Sequence, residues 1–329
     1  MENTASANVI AVPNIEIAGK LAGKITDKSV CRRRVFARED ISGVSILQEA
    51  VKQIRSHAPS RPKCGIILGS GLGGVVDHLD ARTTLAFSQI PGFAASTAGG
   101  HRGQLVLGTL AGVWVVAMAG RFHRYENWST EQITFPVRVM RELGAGTLIV
   151  SNAAGGVNPR LAVGDMVLIS DHIDWMFGPA QQRFDRWKFD RSSPSDVATP
   201  IRDNAWFPQR SRMLYDPELA EIALAAGRKG GFAITEGTYL ATLGPNYETR
   251  AEYRMMRRMG VDIVGMSTVP EVITAAACGM RVLALSMVSN VARPDSGQAT
   301  NHEEVLAAGT ATAPRMLAIV HATLNHISD

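Results

Sequence analysis

From Val44 onward the apolar positions of the chain alternate between helical spacing and short unbroken runs of strand length. Val44, Leu47, Ala50, Val51 and Ile54 fall on one helical face. KCGIILGSGLGG, from Lys63 to Gly74, is a short apolar strand that breaks into a glycine-rich turn. QLVLGTLAGVWVVAMAG, from Gln104 to Gly120, predicts a hairpin turning at Ala111 and Gly112. Residues 130–143 predict a helix with Thr130 as N-cap and Glu131 in the first turn. TLIVSNAAGG and DMVLISDHI predict two further strands, and Pro217 to Lys229 a helix. AITEGTYLATLG predicts a strand, Thr249 to Met259 a helix, and VDIVGMS a strand. PEVITAAACGM predicts a helix with Pro270 at its start, and RVLALSMVSN a strand. Asn301 reads as the cap of the last helix, with Glu304 completing a capping box and Gly309 and Pro314 bending it. No repeat of fixed period runs through the chain. The alternation predicts a single α/β domain: a central mixed, mostly parallel twisted sheet flanked by helices, with hairpin strands at one side.

Two stretches depart from this rhythm. Residues 1–42 are mixed in character, with a basic knot at CRRRVFAR, and predict a solvated, poorly ordered N-terminal extension ahead of a domain at 43–329. Residues 175–212 are rich in Pro, Ser, Asp, Arg and aromatics, and long irregular segments of that kind are commonly lids or loops over a site.

Composition narrows the function class. The chain has 329 residues, 46% apolar and 19% charged, which is enough for one large core. A net charge of +4 without a basic stripe argues against a nucleic-acid partner. Cys31, Cys64 and Cys278 form neither a metal-ligand pattern nor a disulfide framework, so a reducing, cytoplasmic setting is expected. No apolar run of membrane-spanning length and no signal peptide is read from the sequence, so no membrane partner is expected.

Most predicted strands deliver polar or glycine residues at their C-terminal ends. Ser70 lies in LGSGLGG, Arg121 and His123 follow WVVAMAG, and Asn152, Ala153 and Ala154 follow LIV. Tyr247 and Glu248 lie in GPNYET, Met266 and Ser267 close VDIVGMS, and Asn290 closes RVLALSMVSN. In α/β sheets that end is where ligands bind, so these residues predict one site built from six places in the chain. GSGLGG offers backbone N–H groups and a hydroxyl suited to an anion, though it is neither a P-loop nor a GxGxxG fingerprint. Arg121 adds a permanent cation, and His123 shares its side of an extended segment, with Glu126 placed to pair with it. Phosphate binding and plain surface decoration both fit an Arg-x-His alone; the Gly and Ser donors elsewhere bring phosphate level. Glu248 and Asn290 carry the acceptor and the amide that the edge of a 6-oxopurine requires, and Tyr247 offers a ring face. The competing reading of Glu248 is an acid complementing a helix N-terminus. Glu236 reads as a strand-edge residue.

Taken together, LGSGLG, GGHRGQLVLG, GRFHRYE, SNAAGG, GDMVLISDHI, EGTYLATLGPNYET, VGMSTVPEVI and NHEEVLAAG resemble the trimeric purine nucleoside phosphorylase family, in the family's order, from Pro62 to Leu324. The resemblance implies the nucleoside phosphorylase fold and phosphorolysis of purine ribo- and deoxyribonucleosides to free base and sugar 1-phosphate. It implies no metal or organic cofactor, inorganic phosphate being a co-substrate. It implies a homotrimer whose site is completed by the neighbouring subunit. It assigns Ser70, His101, Arg121, His123, the backbone of Ala153 and Ser267 to phosphate. Tyr125, Met266 and His302 go to the ribose, Glu248 and Asn290 to the purine edge, and Tyr247, Val264 and Gly265 to the walls of the base pocket. His123, Glu248 and Asn290 would be catalytic. Asn290 favours inosine and guanosine, since methylthioadenosine-cleaving relatives carry Asp there, and His302 favours a free 5′-hydroxyl. Two other readings are a methylthioadenosine phosphorylase-like enzyme and a catalytically silent nucleoside-binding homologue. Tyr247 replaces a usual Phe and Ser289 a common Thr. The segment Asp174 to Leu214 follows a course of its own, so Trp175 and Phe177 are open candidates for the aromatic that the family extends to a neighbouring ribose.

Overall fold

The computed structural model describes residues 45–58, 61–94, 101–176, 214–292 and 302–328, with the backbone alone at His302. The N-terminal extension, Asn301, Phe177 and most of the divergent segment lie outside the described residues.

Helices start where side chains satisfy the first unpaired N–H groups. Ser45 caps α1 (Ile46–His57) in a capping box with Gln48, each bond 3.3 Å. Helix α2 (Thr130–Leu143) is capped in the same way by Ser129 with Gln132. This corrects the expected Thr130 cap: Ser129 is the last extended residue, and Thr130 is already helical, its carbonyl accepting from the Thr134 hydroxyl. Asp216 caps α3 (Pro217–Gly230), and Thr249 with Glu252 caps α4 (Arg250–Arg258). Two helices follow, α5 (Val269–Ala277) and α6 (His302–Ser328).

Nine strands are described: β1 (Cys64–Leu68), β2 (Asp80–Ala86), β3 (Gln104–Leu110), β4 (Val113–Ala119), β5 (Thr147–Gly156), β6 (Met166–Asp174), β7 (Ile234–Ala241), β8 (Ile263–Gly265) and β9 (Arg281–Val291). They form one mixed sheet in the order β2-β3-β4-β1-β5-β8-β7-β6-β9, and β5 pairs with β9 as well. That last pairing closes β5, β8, β7, β6 and β9 into a ring, from which β1, β4, β3 and β2 extend as an arm. One edge of β5 serves two neighbours: Thr147–Val150 pair in parallel with β1, and Gly155–Gly156 pair antiparallel with β8. The β5–β9 register shifts between Ala154 and Gly155, where the strand changes neighbour. The predicted β3–β4 hairpin is present, turning through left-handed Ala111 and Gly112. Strand β2 has no counterpart in the sequence reading, because only Leu85 of its seven residues is buried.

Alternate residues of the central strands feed two cores. Ile67, Leu148, Val150, Val282 and Ala284 join the side covered by α1, α2 and α5, while Ile66, Leu68, Ile149, Leu283 and Leu285 join the side covered by α3 and α6. Helix α6 is long and apolar enough to cross a membrane by length and composition, which corrects the expectation that no such run exists. Its Met316, Ile319, Val320 and Leu324 are fully buried against the second core, so here its apolar face is a core face.

Gly309 in α6 has a role other than bending. A Cβ on it would lie 2.6 Å from the Cα of Gly71, and one on Gly71 (φ +77°) 2.7 Å from the Cα of Gly309. The helix therefore rests directly on the glycine-rich turn that carries Ser70. Gly309→Ala should push this contact apart and lower stability by about 1–3 kcal/mol in denaturant unfolding; an unchanged unfolding midpoint would show that the contact does not set the position of the turn.

Candidate active site

The strand ends converge through a hydrogen-bonded chain. Arg121 follows β4 and is 1% exposed. Its Nη1 donates to the hydroxyls of Ser267 (2.8 Å) and Thr268 (2.7 Å), and Nη2 donates to the Ser151 carbonyl (2.6 Å). Glu271, in the first turn of α5 and 3% exposed, sets its carboxylate 3.5 Å from Nε. A buried guanidinium needs such a counter-charge and full hydrogen bonding to be tolerated. One cation thus ties β4, β5 and the β8–α5 junction together.

Thr268 sits at the middle of this junction, wholly buried, with φ +73°. A β-branched residue in that region is strained and persists only where its surroundings hold it. Arg121 and Asn152 both donate to its hydroxyl, the latter at 2.8 Å, and the Asn152 side-chain oxygen Oδ1 accepts from the Ser286 hydroxyl at 2.7 Å. The result fixes the Ser267 hydroxyl beside the guanidinium.

The histidines form a column with Tyr125. Ser70 Oγ lies 3.4 Å from His101 Nε2, and His101 Nδ1 lies 3.2 Å from the Arg121 carbonyl oxygen. Gly120 (φ +118°) makes room, since a Cβ there would meet the His101 Cβ at 2.7 Å. The rings of His101 and His123 stack at 5.2 Å, and those of His123 and Tyr125 at 4.6 Å. Glu126 Oε1 accepts from both the backbone N–H and Nδ1 of His123, each at 2.9 Å, which is the bracing expected from the sequence. With Nδ1 donating there, His123 Nε2 is the ring atom left for a ligand. Burial pushes the Tyr125 hydroxyl up to about 12, so it stays a neutral donor.

The residues expected at the purine assemble around β8. Gly155 faces Val264 and the Asn290 amide, each 3.4 Å from where its Cβ would be. Asn290 Oδ1 accepts from the Ser289 hydroxyl at 2.9 Å, which orients the amide. Thr242, just past β7, donates its N–H to the Gly265 carbonyl (2.8 Å) and its hydroxyl to Glu248 (3.2 Å). Burial raises the Glu248 carboxyl above its ordinary range. Gly244 faces both Met266 and Tyr125, bringing those two together. Tyr247 is 46% exposed, Ala153 is half-buried, and Glu236 is an exposed strand residue as read. The side chain of His302 lies outside the described residues.

Thr268, Glu271, Ser286, Thr242 and Tyr253 were not read from the sequence as site residues. Glu271 left a signal, being a lone carboxylate inside the otherwise apolar stretch VPEVITAAA. Tyr253 left none, since nothing in its spacing ties it to Glu248.

The sequence profile of the phosphorylase superfamily matches residues 63–325. Purine nucleoside phosphorylase 1 of Bacillus subtilis (strain 168) is 45% identical over 265 residues, covering 79% of this chain and 90% of that protein. The purine nucleoside phosphorylase of Bos taurus is 42% identical over 281 residues, covering 82% and 90%. In structure, the chain is similar to the purine nucleoside phosphorylase of Schistosoma mansoni in complex with inosine, with a TM-score of 0.72, 36% identity, and coverage of 84% of this chain and 95% of that one.

Burial, and then the neighbouring His123 and Arg121, push His101 down to about 4 from an ordinary 6.5. The folded protein keeps it neutral, whereas the unfolded chain takes up a proton below 6.5. Its contribution to stability is therefore complete above 6.5 and is lost as pH falls toward 4, by up to about 3 kcal/mol. NMR titration of the His101 ring should give a midpoint near 4; an ordinary midpoint would contradict the packing described.

Proposed function

The chain belongs to the phosphorylase superfamily, among its purine nucleoside phosphorylases, and we infer that it is a pentosyltransferase that phosphorolyses 6-oxopurine ribo- and deoxyribonucleosides, inosine and guanosine, to free base and sugar 1-phosphate. The observation that carries this reading is the meeting of two sets of groups at the strand ends. Ser70, His101, Arg121 and Ser267 are linked in one chain of contacts, and Glu248 and Asn290 stand around Val264 and Gly265.

The chemistry follows from charge. Phosphate attacks C1′ as the bond from C1′ to N9 breaks. The bond pair moves into the purine, positive charge gathers on the ribose, and a C1′–oxygen bond forms with phosphate. A dianion held in line beneath C1′ stabilises the sugar and supplies the nucleophile. Ser70, Ser267, the His123 Nε2 and the Ala153 backbone are the donors proposed for it, with Arg121 holding Ser267 and lending its charge. Asn290 donates to O6, a bond that strengthens as the purine becomes anionic, and its Oδ1 accepts from N7 once the leaving base has taken up a proton there from solvent. Support for this orientation comes from the Ser289 hydroxyl on Asn290 Oδ1. Tyr125, Met266 and His302 are proposed for the ribose, and Tyr247 for the base face. The reading includes a cytoplasmic homotrimer that uses inorganic phosphate and no cofactor.

Free base released from inosine, guanosine, adenosine and methylthioadenosine, with and without phosphate, tests this. Phosphate-dependent release from inosine and guanosine alone is expected. Release from methylthioadenosine would favour the adenosine-type reading, and release from none would favour a silent binding protein. Asn290→Asp should move preference toward 6-aminopurines, and retained preference for inosine would contradict the role given to the amide.

A further inference from the structure

We propose that Tyr253 is a positioning residue for purine recognition: with Thr242 it clamps the Glu248 carboxylate between two hydroxyls, one on each oxygen, and so sets the face offered to the N–H edge of the base. This rests on the assignment of Glu248 to the purine.

Glu248 directly precedes α4, where a carboxylate ordinarily serves the free amides of the helix. Two of those amides are already served. The Thr249 hydroxyl accepts from Glu252 N at 3.2 Å, and Glu252 Oε2 accepts from Thr249 N at 2.6 Å. The Glu248 carboxylate is instead held by two hydroxyls: Thr242 donates to Oε1 at 3.2 Å and Tyr253 donates to Oε2 at 3.1 Å. An ionised carboxylate only accepts, so both hydroxyls must donate. With about four lone-pair sites on the group, and its own amide bonded there as well, a site remains for a ligand N–H.

The two clamps come from different rigid parts. Thr242 is pinned to β8 through the Gly265 carbonyl. The Tyr253 ring packs on the cluster of Val157, Leu240, Met256, Val261 and Val264. The carboxylate plane is therefore fixed relative to the same β8 segment that lines the base pocket. Burial works against the charged form of Glu248, and the Glu252 carboxylate on α4 adds to that. The residue's own amide and the Tyr253 and Thr242 hydroxyls oppose it. Among the described residues Tyr247 is the remaining titratable neighbour, and burial holds both Tyr247 and Tyr253 protonated well past neutrality.

Tyr253→Phe keeps the ring and removes the clamp. At saturating phosphate, KM for inosine should rise about fivefold to tenfold at neutral pH, with a smaller change in kcat. The acid side of the kcat/KM profile should move toward higher pH, because the carboxylate loses a donor to its charged form. KM for phosphate should not move. Thr242→Val repeats the test on the other oxygen and should act in the same direction. Wild-type inosine KM and pH profile in both variants would overturn the proposal while leaving the purine assignment standing, provided Glu248→Gln still abolishes most of kcat/KM. If Glu248→Gln also leaves inosine kinetics unchanged, the proposal and the purine assignment fall together.

Discussion

A fully charged guanidinium with 1% exposure is the constraint around which this structure is organised. Arg121 cannot shed its charge, so burying it is tolerable only with a counter-ion and oriented oxygens around it. Glu271 supplies the first, and Ser267, Thr268 and the Ser151 carbonyl supply the second. Each partner belongs to a different part of the chain. Satisfying one side chain therefore fixes the relative positions of β4, β5, β8 and α5, and these are the strand ends at which the candidate site lies. The strained backbone of Thr268 belongs to the same arrangement, held by donors from Arg121 and Asn152.

Close approach of backbone does for the rest of the site what charge does for Arg121. Gly71 rests on Gly309, and Gly120 yields to His101. Each contact lets two segments come nearer than any side chain permits. The ring of β5, β8, β7, β6 and β9 closes where β5 exchanges β1 for β8 at Gly155–Gly156. The groups proposed for phosphate cluster where the arm meets this ring, and those proposed for the purine line the ring itself.

Much of this was legible in the sequence. Elements with a strong period, such as α1, the β3–β4 hairpin and β9, were read within a few residues, because their burial is one-sided or complete. The polar residues at strand ends stood out because they interrupt apolar runs, and the family resemblance gave them roles. What stayed hidden has physical causes. Strand β2 is an exposed edge with no apolar alternation. The closed ring rests on the β5–β9 pairing, and no local pattern encodes which distant strand a strand will meet. Glu271, Thr268 and Tyr253 act through partners far away in the chain or out of helical phase, so spacing alone cannot pair them.

An anion site at the ends of β1, β4, β5 and β8 is the proposal on which the assigned chemistry depends. Calorimetric titration of inorganic phosphate into the protein without nucleoside tests this most directly, using the wild type and Ser267→Ala. The hydroxyl is fixed by Arg121 at 2.8 Å, and losing a hydrogen bond to a charged ligand costs about 1.5–3 kcal/mol. Saturable phosphate binding that weakens at least tenfold in Ser267→Ala is the predicted result. No binding, or binding of equal strength in the two proteins, would contradict it.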